Sequence, residues 1–254
     1  PDGLIISAQN CWPDQEIANI VGRDRAAGLV MSNISVESYE PGKVSRPGHS
    51  RMRDMGHDVF RLGLHHKEDT KEQEKIRKEL EKIRKALDVI DSSVITENLW
   101  GERWAKLCQN CMGNPVVAMS NLGTAELAGD EFCRKLQINL AREATEIGEK
   151  LGLDFDKFGG ASKDMWLQSD DKDIYLELDT MIKKRSNGPN RRPSMGQDIH
   201  RGRKTEILHM SGHVLAEARA LKTDLPYTKK TMETIIQIDS GIIQPSVDNV
   251  YTII

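Results

Sequence analysis

One stretch constrains this chain more than any other: ENLWGERWAKLCQNCMGNP, residues 97–115. Leu99, Trp100, Trp104, Leu107, Cys108 and Cys111 recur at helical spacing and make one broad apolar face. Lys106, Asn110 and Asn114 stand four residues apart. Each step advances about 400° round a helix, so the three form one polar row. Pro115 lacks an N–H and restricts Asn114, which predicts a kink or break there and an open end to the row. An amphipathic helix ordinarily turns such a row to solvent. A lysine and two amides in line, flanked by tryptophans, also suit the floor of a site.

The 254 residues suffice for one large domain or two ordinary ones. Hydrophobic residues make up 38% and charged residues 30%, the balance of a globular, rather polar chain. A net charge of −3 gives no electrostatic reason to expect nucleic acid or an acidic membrane as a partner. No apolar run approaches the length of a membrane span, and no signal peptide pattern is visible. Four cysteines in a chain of this size do not make a disulfide framework, and a reducing cytoplasm fits best.

Before residue 96 the patterns are mixed. LIIS at 4–7 reads as a buried strand, followed by a loop at 8–11 and a helix with Pro13 in its first turn and Gly22 at its end. A strand-like run at 28–37, a turn at 40–43 and a return strand at 44–46 follow. VFRLGL at 59–64 alternates as a half-buried strand. Ile76, Leu80, Ile83, Leu87 and Ile90 step by four and three, which predicts a helix over 69–87. Residues 89–95 read as one more strand.

After Thr96, which can cap the organising helix, almost no strand pattern remains. A second helical run at 116–122 breaks near Gly123. Residues 130–151 form a long helix with Asp130 as its cap, Gly152 at its end, and Leu136, Leu140, Ala144, Ile147 and Leu151 on one face. A helix is predicted at 172–184. Ser194, with Gln197 at capping-box spacing, opens a long helix to about Leu221. A last helix at 229–238 precedes an irregular tail. The expected organisation is therefore an α/β domain over 1–95 and an all-helical domain over 96–254.

Two stretches, NLWGERWAKLCQNCMGNP (98–115) and RPSMGQDIHRGRKTEILHMSG (192–212), together resemble the ketopantoate reductases, or 2-dehydropantoate 2-reductases. That family carries a W-x-K-L-x-x-N-x-x-x-N-P helix and, later, an S-M-x-Q-D…G-R-x-T-E-I motif. Gln9-Asn10 and the run VESYEPGKVSRPG resemble its Q-N-G loop and E-P-G-x-V hairpin. The resemblance extends from about residue 4 to 237. Two long motifs in order are more specific than a lone glycine-rich loop.

The resemblance implies a partial Rossmann-type dinucleotide-binding domain followed by a helical domain for substrate and dimerisation, of the 6-phosphogluconate dehydrogenase-like kind. It implies NADPH-dependent reduction of ketopantoate, a 2-oxo acid, to pantoate on the route to pantothenate and coenzyme A. Lys106 would be the catalytic general acid at the carbonyl oxygen, and Glu206 its acidic partner there. Asn110 and Asn114 would hold the substrate, Ser194 its carboxylate, and Asn10 would sit where cofactor meets substrate. No metal is implied, and a homodimer through the helical domain is allowed. The chemistry suits these residue types, because hydride addition to a ketone leaves charge on oxygen, which a proton donor and fixed hydrogen bonds stabilise.

The sequence departs from the family in four ways. It has no strand followed by G-x-G-x-x-G, and it opens on Pro1. The expectation is a fragment lacking three strand–helix units, roughly 90 residues at roughly 30 each, that binds NADPH poorly by itself. Cys11 stands where the family has glycine. Ser211-Gly212 replaces Asn-Gly. Residues 159–193 are longer than in compact members and bring Lys183, Lys184, Arg185, Arg191 and Arg192 near the second motif, so the substrate can be a different 2-oxo acid. Other readings remain open. Glu206, His209 and His213 on one helix would suggest a metal site, without a second motif to complete it. Cys108-x-x-Cys111 would suggest a redox pair, although it lies mid-helix. A binding or assembly remnant without catalysis is the third.

Overall fold

The computed structural model describes residues 3–254 apart from 33, 35, 47–51, 56 and 67–70. The chain divides into two compact units, Pro1–Lys106 and Leu107–Ile254.

The first unit is built on a four-stranded mixed sheet. Its elements are β1 (Ile5–Ser7), α1 (Asp14–Val21), β2 (Ala26–Met31), the pair β3 (Glu37–Glu40) and β4 (Lys43–Ser45), then β5 (Phe60–Leu64), α2 (Lys71–Leu87) and β6 (Ser93–Ile95). The strand order is β1-β2-β5-β6. β1 and β2 run parallel with α1 as crossover, β5 lies antiparallel to β2, and β6 runs parallel to β5 with α2 between them. α1 ends at Gly22, whose φ of 92° a side chain would resist. The hairpin β3–β4 turns through Gly42 at φ 75°. Ala27, Leu29, Val59, Phe60, Leu62 and Leu80 form the core, with Ile76, Ile83 and Leu87 of α2 packed against it. That is the face the four-and-three spacing predicts. The predicted helix start at 69 and 70 lies outside the described residues. β6 is shorter than the expected 89–95, because Val89, Ile90 and Asp91 form turns onto the end of α2.

Gly28 and Gly63 are paired across β2 and β5. A Cβ on Gly28 would lie 2.7 Å from Leu99, and one on Gly63 would lie 2.8 Å from it. The two glycines thus leave a bare patch of sheet for Leu99, the first residue of α3 (Leu99–Ser120). Asn98 caps α3, its Oδ1 accepting from the N–H of Gly101 at 3.1 Å. Thr96, the expected cap, instead accepts from the N–H of Asn98.

The second unit contains the rest of α3, α4 (Thr124–Gly129), α5 (Glu131–Lys150), β7 (Lys157–Phe158), β8 (Ala161–Ser162), α6 (Lys163–Leu167) and α7 (Lys172–Lys183). α8 (Ser194–His200), α9 (Ser211–Ala220), α10 (Pro226–Asp239) and α11 (Asp248–Tyr251) complete it. α5 is the central helix. Asp130 caps it through the N–H of Cys133, and Leu136, Leu140, Ala144 and Ile147 are buried, whereas Leu151 lies past its end and is exposed. Glu143 of α5 is buried and accepts from Tyr227 N at 3.0 Å, Thr228 N at 2.7 Å and Thr228 Oγ1 at 2.6 Å, so it caps the start of α10 from outside that helix.

Four expectations change here. α3 does not break at Pro115 but runs on to Ser120. The lost hydrogen bond is outweighed by packing, since Cys111, Met112, Val116 and Val117 are all buried. The long helix expected from Ser194 to Leu221 is two helices, separated at residues 201–210 where Gly202 takes φ 64°. The last long helix starts at Pro226 instead of 229, with proline in its first turn. The segment expected to be free of strands holds the small hairpin β7–β8, and the tail is tied down by Ser246 N and Asn249 Nδ2, both donating to Met119 O.

Candidate active site

The polar row lies along the middle of α3. Asn110 is 6% exposed and Asn114 8%, so these amides are not a solvated face. Lys106 is half-buried, and loss of water lowers the pKa of its ammonium below the ordinary 10.5. Leu107, Cys108, Cys111 and Met112 fill the opposite face and are buried. Gly113, roughly two turns on from Lys106, falls on the side of the row, and a Cβ placed there would meet nothing within 4 Å.

α8 brings the second motif to α3. A Cβ on Gly196 would lie 2.7 Å from Val117 Cγ1, so the glycine lets α8 sit directly on α3, three residues beyond Asn114. Ser194 opens α8, but Pro193 is the cap and Ser194 makes no capping bond. Gln197 does not complete a capping box either, because its Nε2 donates to Arg192 O. The exposed Ser194 hydroxyl donates instead to Glu206 Oε1 at 3.2 Å. The row and this pair stand on elements that pack together, with Lys106 at the unit boundary on the same helix as the asparagines.

Glu206 lies in a turn. Its carbonyl accepts from His209 N at 3.0 Å and Met210 N at 3.1 Å. The preceding residue is strapped to the end of α10, with Thr205 Oγ1 donating to Asp239 Oδ2 at 2.7 Å and Thr205 N lying 3.2 Å from both carboxylate oxygens. The patterning of the chain did not single out Thr205 or Asp239. Thr205 stood beside a named residue, whereas nothing in the sequence pointed to Asp239, 34 positions away.

The metal reading loses its premise, because Glu206 and His209 lie in the turn and only His213 is in α9. Among the described residues no group of three or more His, Cys, Asp or Glu is placed to hold a metal ion. Cys108 and Cys111 are buried, and burial pushes the Cys108 thiol well up and that of Cys111 to about 12. Neither is poised as a thiolate, so they act as small apolar groups. In the cationic segment, Arg192 Nη1 donates to Asn121 Oδ1 at 3.0 Å, and the Arg185 guanidinium bonds Gly159 O.

In the first unit, Asn10 stands in the loop that leaves the carboxyl end of β1, half-buried. β1 and β2 are parallel, so their carboxyl ends lie together, where open α/β sheets take their ligands. Cys11 takes φ 72°, a conformation that favours glycine. Trp12 packs on Trp100 at 4.8 Å and Trp104 at 5.5 Å between ring centroids. The tryptophans of α3 therefore anchor this loop and do not line the polar row.

A family model described as ketopantoate reductase PanE/ApbA, C terminal, matches residues 98–239, more than half of the chain. The chain belongs to the ketopantoate reductase family. It is 24% identical over 225 residues to a 2-dehydropantoate 2-reductase of Pyrococcus horikoshii, covering 89% of this chain and 64% of that protein. The corresponding protein of Pyrococcus abyssi is 26% identical, with 87% and 63% covered. The chain thus spans less than two thirds of the length of these relatives. Among solved structures it resembles a PanE/ApbA family ketopantoate reductase from Ralstonia eutropha, with a TM-score of 0.67, 18% identity, and 94% of this chain and 67% of that one covered. It also resembles D-mandelate dehydrogenase in complex with NADH, with a TM-score of 0.71, 16% identity, and 95% and 72% covered. At these identities the structures share the fold.

Proposed function

We propose that this chain serves the reduction of a 2-oxo acid by a nicotinamide coenzyme, with ketopantoate as substrate, pantoate as product and NADPH as coenzyme. The observation that carries this reading is the row on α3: a lysine made more acidic by burial, followed at four-residue steps by two buried amides.

Lys106 gives its proton to the ketone oxygen as that oxygen gains charge, and its lowered pKa makes the transfer easier. Asn110 and Asn114 orient the polar substrate without adding charge. Ser194 serves the substrate carboxylate, and Glu206, already bonded to Ser194, accepts from the hydroxyl that forms. The loop beyond β1 fits a coenzyme by its place at the carboxyl ends of two parallel strands. Asn10 would hold the nicotinamide side, and when bound the coenzyme supplies the hydride. In this reading the α/β domain over 1–95 would hold the coenzyme and the helical domain over 96–254 the substrate.

A homodimer through the helical unit belongs to this reading; a dimeric ketopantoate reductase from Staphylococcus aureus shares the fold, with a TM-score of 0.64. The four cysteines form no disulfide, which suits a reducing cytoplasm, and among the described residues no helix is long and apolar enough to cross a membrane.

The test is NADPH oxidation with ketopantoate, assayed on the protein in its longest encoded form. Lys106→Ala should lower kcat by about 10²–10⁴, the loss expected for a general acid. A variant of near-normal activity would remove the assignment. A different 2-oxo acid is the second reading, favoured by the cations at 183–192 and by the likeness to D-mandelate dehydrogenase solved with NADH and anilino(oxo)acetate. Turnover of an aromatic 2-oxo acid in preference to ketopantoate would decide for it.

A further inference from the structure

The first unit buries a guanidinium that the chemistry above does not use. Arg103 is 3% exposed and lies in the second turn of α3. Its Nε stands 2.9 Å from Asp14 Oδ2, and its Nη2 donates to Asp14 Oδ1 at 3.0 Å. Nη2 also reaches Ser7 Oγ at 2.7 Å and Ser7 O at 3.0 Å, and Nη1 donates to Gln9 O at 2.8 Å. Ser7 and Asp14 are buried too, and the Ser7 hydroxyl bonds the Asp14 carboxylate.

A buried ion pair is weak evidence for stability, because desolvation offsets most of its attraction. Its acceptors show another use. Two are main-chain carbonyls, Ser7 at the last residue of β1 and Gln9 two residues on. They bracket the point where the strand stops and the chain must be aimed. The carbonyl of Gln9 shares a rigid peptide plane with the nitrogen and Cα of Asn10. Holding that oxygen therefore sets where Asn10 begins. On the far side, Trp12 is held by Trp100 and Trp104. Asn10 is thus gripped from both sides by α3, and Arg103 is three residues, roughly one turn, before Lys106.

We propose that Arg103 is a positioning residue which, through the Gln9 carbonyl and the Asp14–Ser7 pair, fixes Asn10 relative to Lys106 for the nicotinamide end of the coenzyme. The coenzyme part rests on the function proposed above; the anchoring of the loop does not.

Arg103→Lys keeps a positive charge beside Asp14 but has one nitrogen, which cannot serve Asp14, Ser7 and Gln9 together. Should it fail to fold, Arg103→Met with Asp14→Leu removes both charges at once. Val59→Ala is the stability control, since Val59 is buried in the same unit's core and lies outside this network. Two readouts are taken: KM for NADPH against kcat, and the rate at which iodoacetamide labels Cys11, followed by mass spectrometry. All four thiols are buried, Cys11 the least so at 8% exposed, and mass spectrometry reads Cys11, the reporter of this loop, apart from the other three.

Arg103→Lys should raise KM for NADPH about tenfold, change kcat less, and speed Cys11 labelling about tenfold, as expected for losing hydrogen bonds from a charged group. Val59→Ala should leave both within about twofold of the parent. Unchanged values in Arg103→Lys, or equal changes in Val59→Ala, overturn the proposal. If the parent protein in its longest encoded form turns over no 2-oxo acid with NADPH, the reductase reading fails by itself and the coenzyme part falls with it. Cys11 labelling then decides the anchoring alone: faster in Arg103→Lys only, it stands; otherwise it falls.

Discussion

Two glycines on neighbouring helices offer a matched test of the packing around the polar row. Gly113 lies in the interior of α3 and Gly196 in α8. Replacing either by alanine gains helix propensity worth about 0.5–1 kcal/mol, because glycine loses more backbone freedom on folding. The surroundings differ. A Cβ on Gly113 meets nothing within 4 Å, so Gly113→Ala should stabilise the second unit by about 0.5–1 kcal/mol. That corresponds to a rise of roughly 2–4 °C in Tm. A Cβ on Gly196 would lie 2.7 Å from Val117 Cγ1, and Val117 is itself buried and cannot swing aside. Overpacking of that kind costs about 1–3 kcal/mol, which exceeds the propensity gain and leaves Gly196→Ala destabilised by about 1 kcal/mol. The separation between the variants, roughly 2 kcal/mol, is the quantity to measure. Urea unfolding followed through Trp166, the tryptophan of the second unit, reads it directly. Equal midpoints for the two variants would refute the close approach of α8 to α3. A Gly113→Ala protein no more stable than its parent would refute the open space beside the row.

Other expectations follow from the same geometry. Lys106 must hold its proton to act as an acid, and burial lowers its pKa, so kcat should fall with rising pH through a limb centred below 10.5; a limb at or above that value removes the burial effect. The same shift makes the unfolded chain the better proton binder. The contribution of Lys106 to stability should therefore rise with pH from its folded pKa up to 10.5, and Lys106→Met should flatten that slope in denaturation curves taken across the range. Cys11 takes φ 72°, so Cys11→Gly should be more stable than Cys11→Ala by about 1 kcal/mol in thermal unfolding, and the reverse order would contradict that backbone. Asp239→Ala leaves Thr205 without its carboxylate and should cost the second unit about 1.5–3 kcal/mol in chemical denaturation, whereas Asp239→Asn should recover part of it.

Much of the fold is legible where one rule governs one element. The spacing of Ile76, Leu80 and Ile83 marks α2, and Asp130 and Gly152 mark the ends of α5. Where two rules compete, the local one loses. Pro115 argues for a break, yet buried neighbours on both sides carry α3 through it. Met195, Ile199, Ile207, Met210 and Val214 keep a helical period across a gap of ten residues, which made two helices look like one. Glycine at 202, with φ 64°, was the signal against that reading. Gly159-Gly160, both at positive φ between Phe158 and Ala161, is likewise the mark of a tight hairpin, too short to show an alternating pattern. Motif wording singled out Lys106, Asn110, Asn114, Ser194 and Glu206. What holds such residues in place was not visible. Arg103 and Gln9 are 94 positions apart, and no periodicity links them.

The cap on α10 bears on how the second unit assembles. The opening N–H groups of that helix find their acceptor on Glu143, more than eighty positions earlier in the chain. Until α5 is in place those donors have only water, and a helix of this length is marginal without tertiary support. α10 should therefore form late, after the α5 nucleus, and a long loop must close before it can. Its far end carries Asp239 and the strap on Thr205. The turn that bears Glu206, and with it the bond from Ser194, is then among the last parts of the unit to reach its final shape.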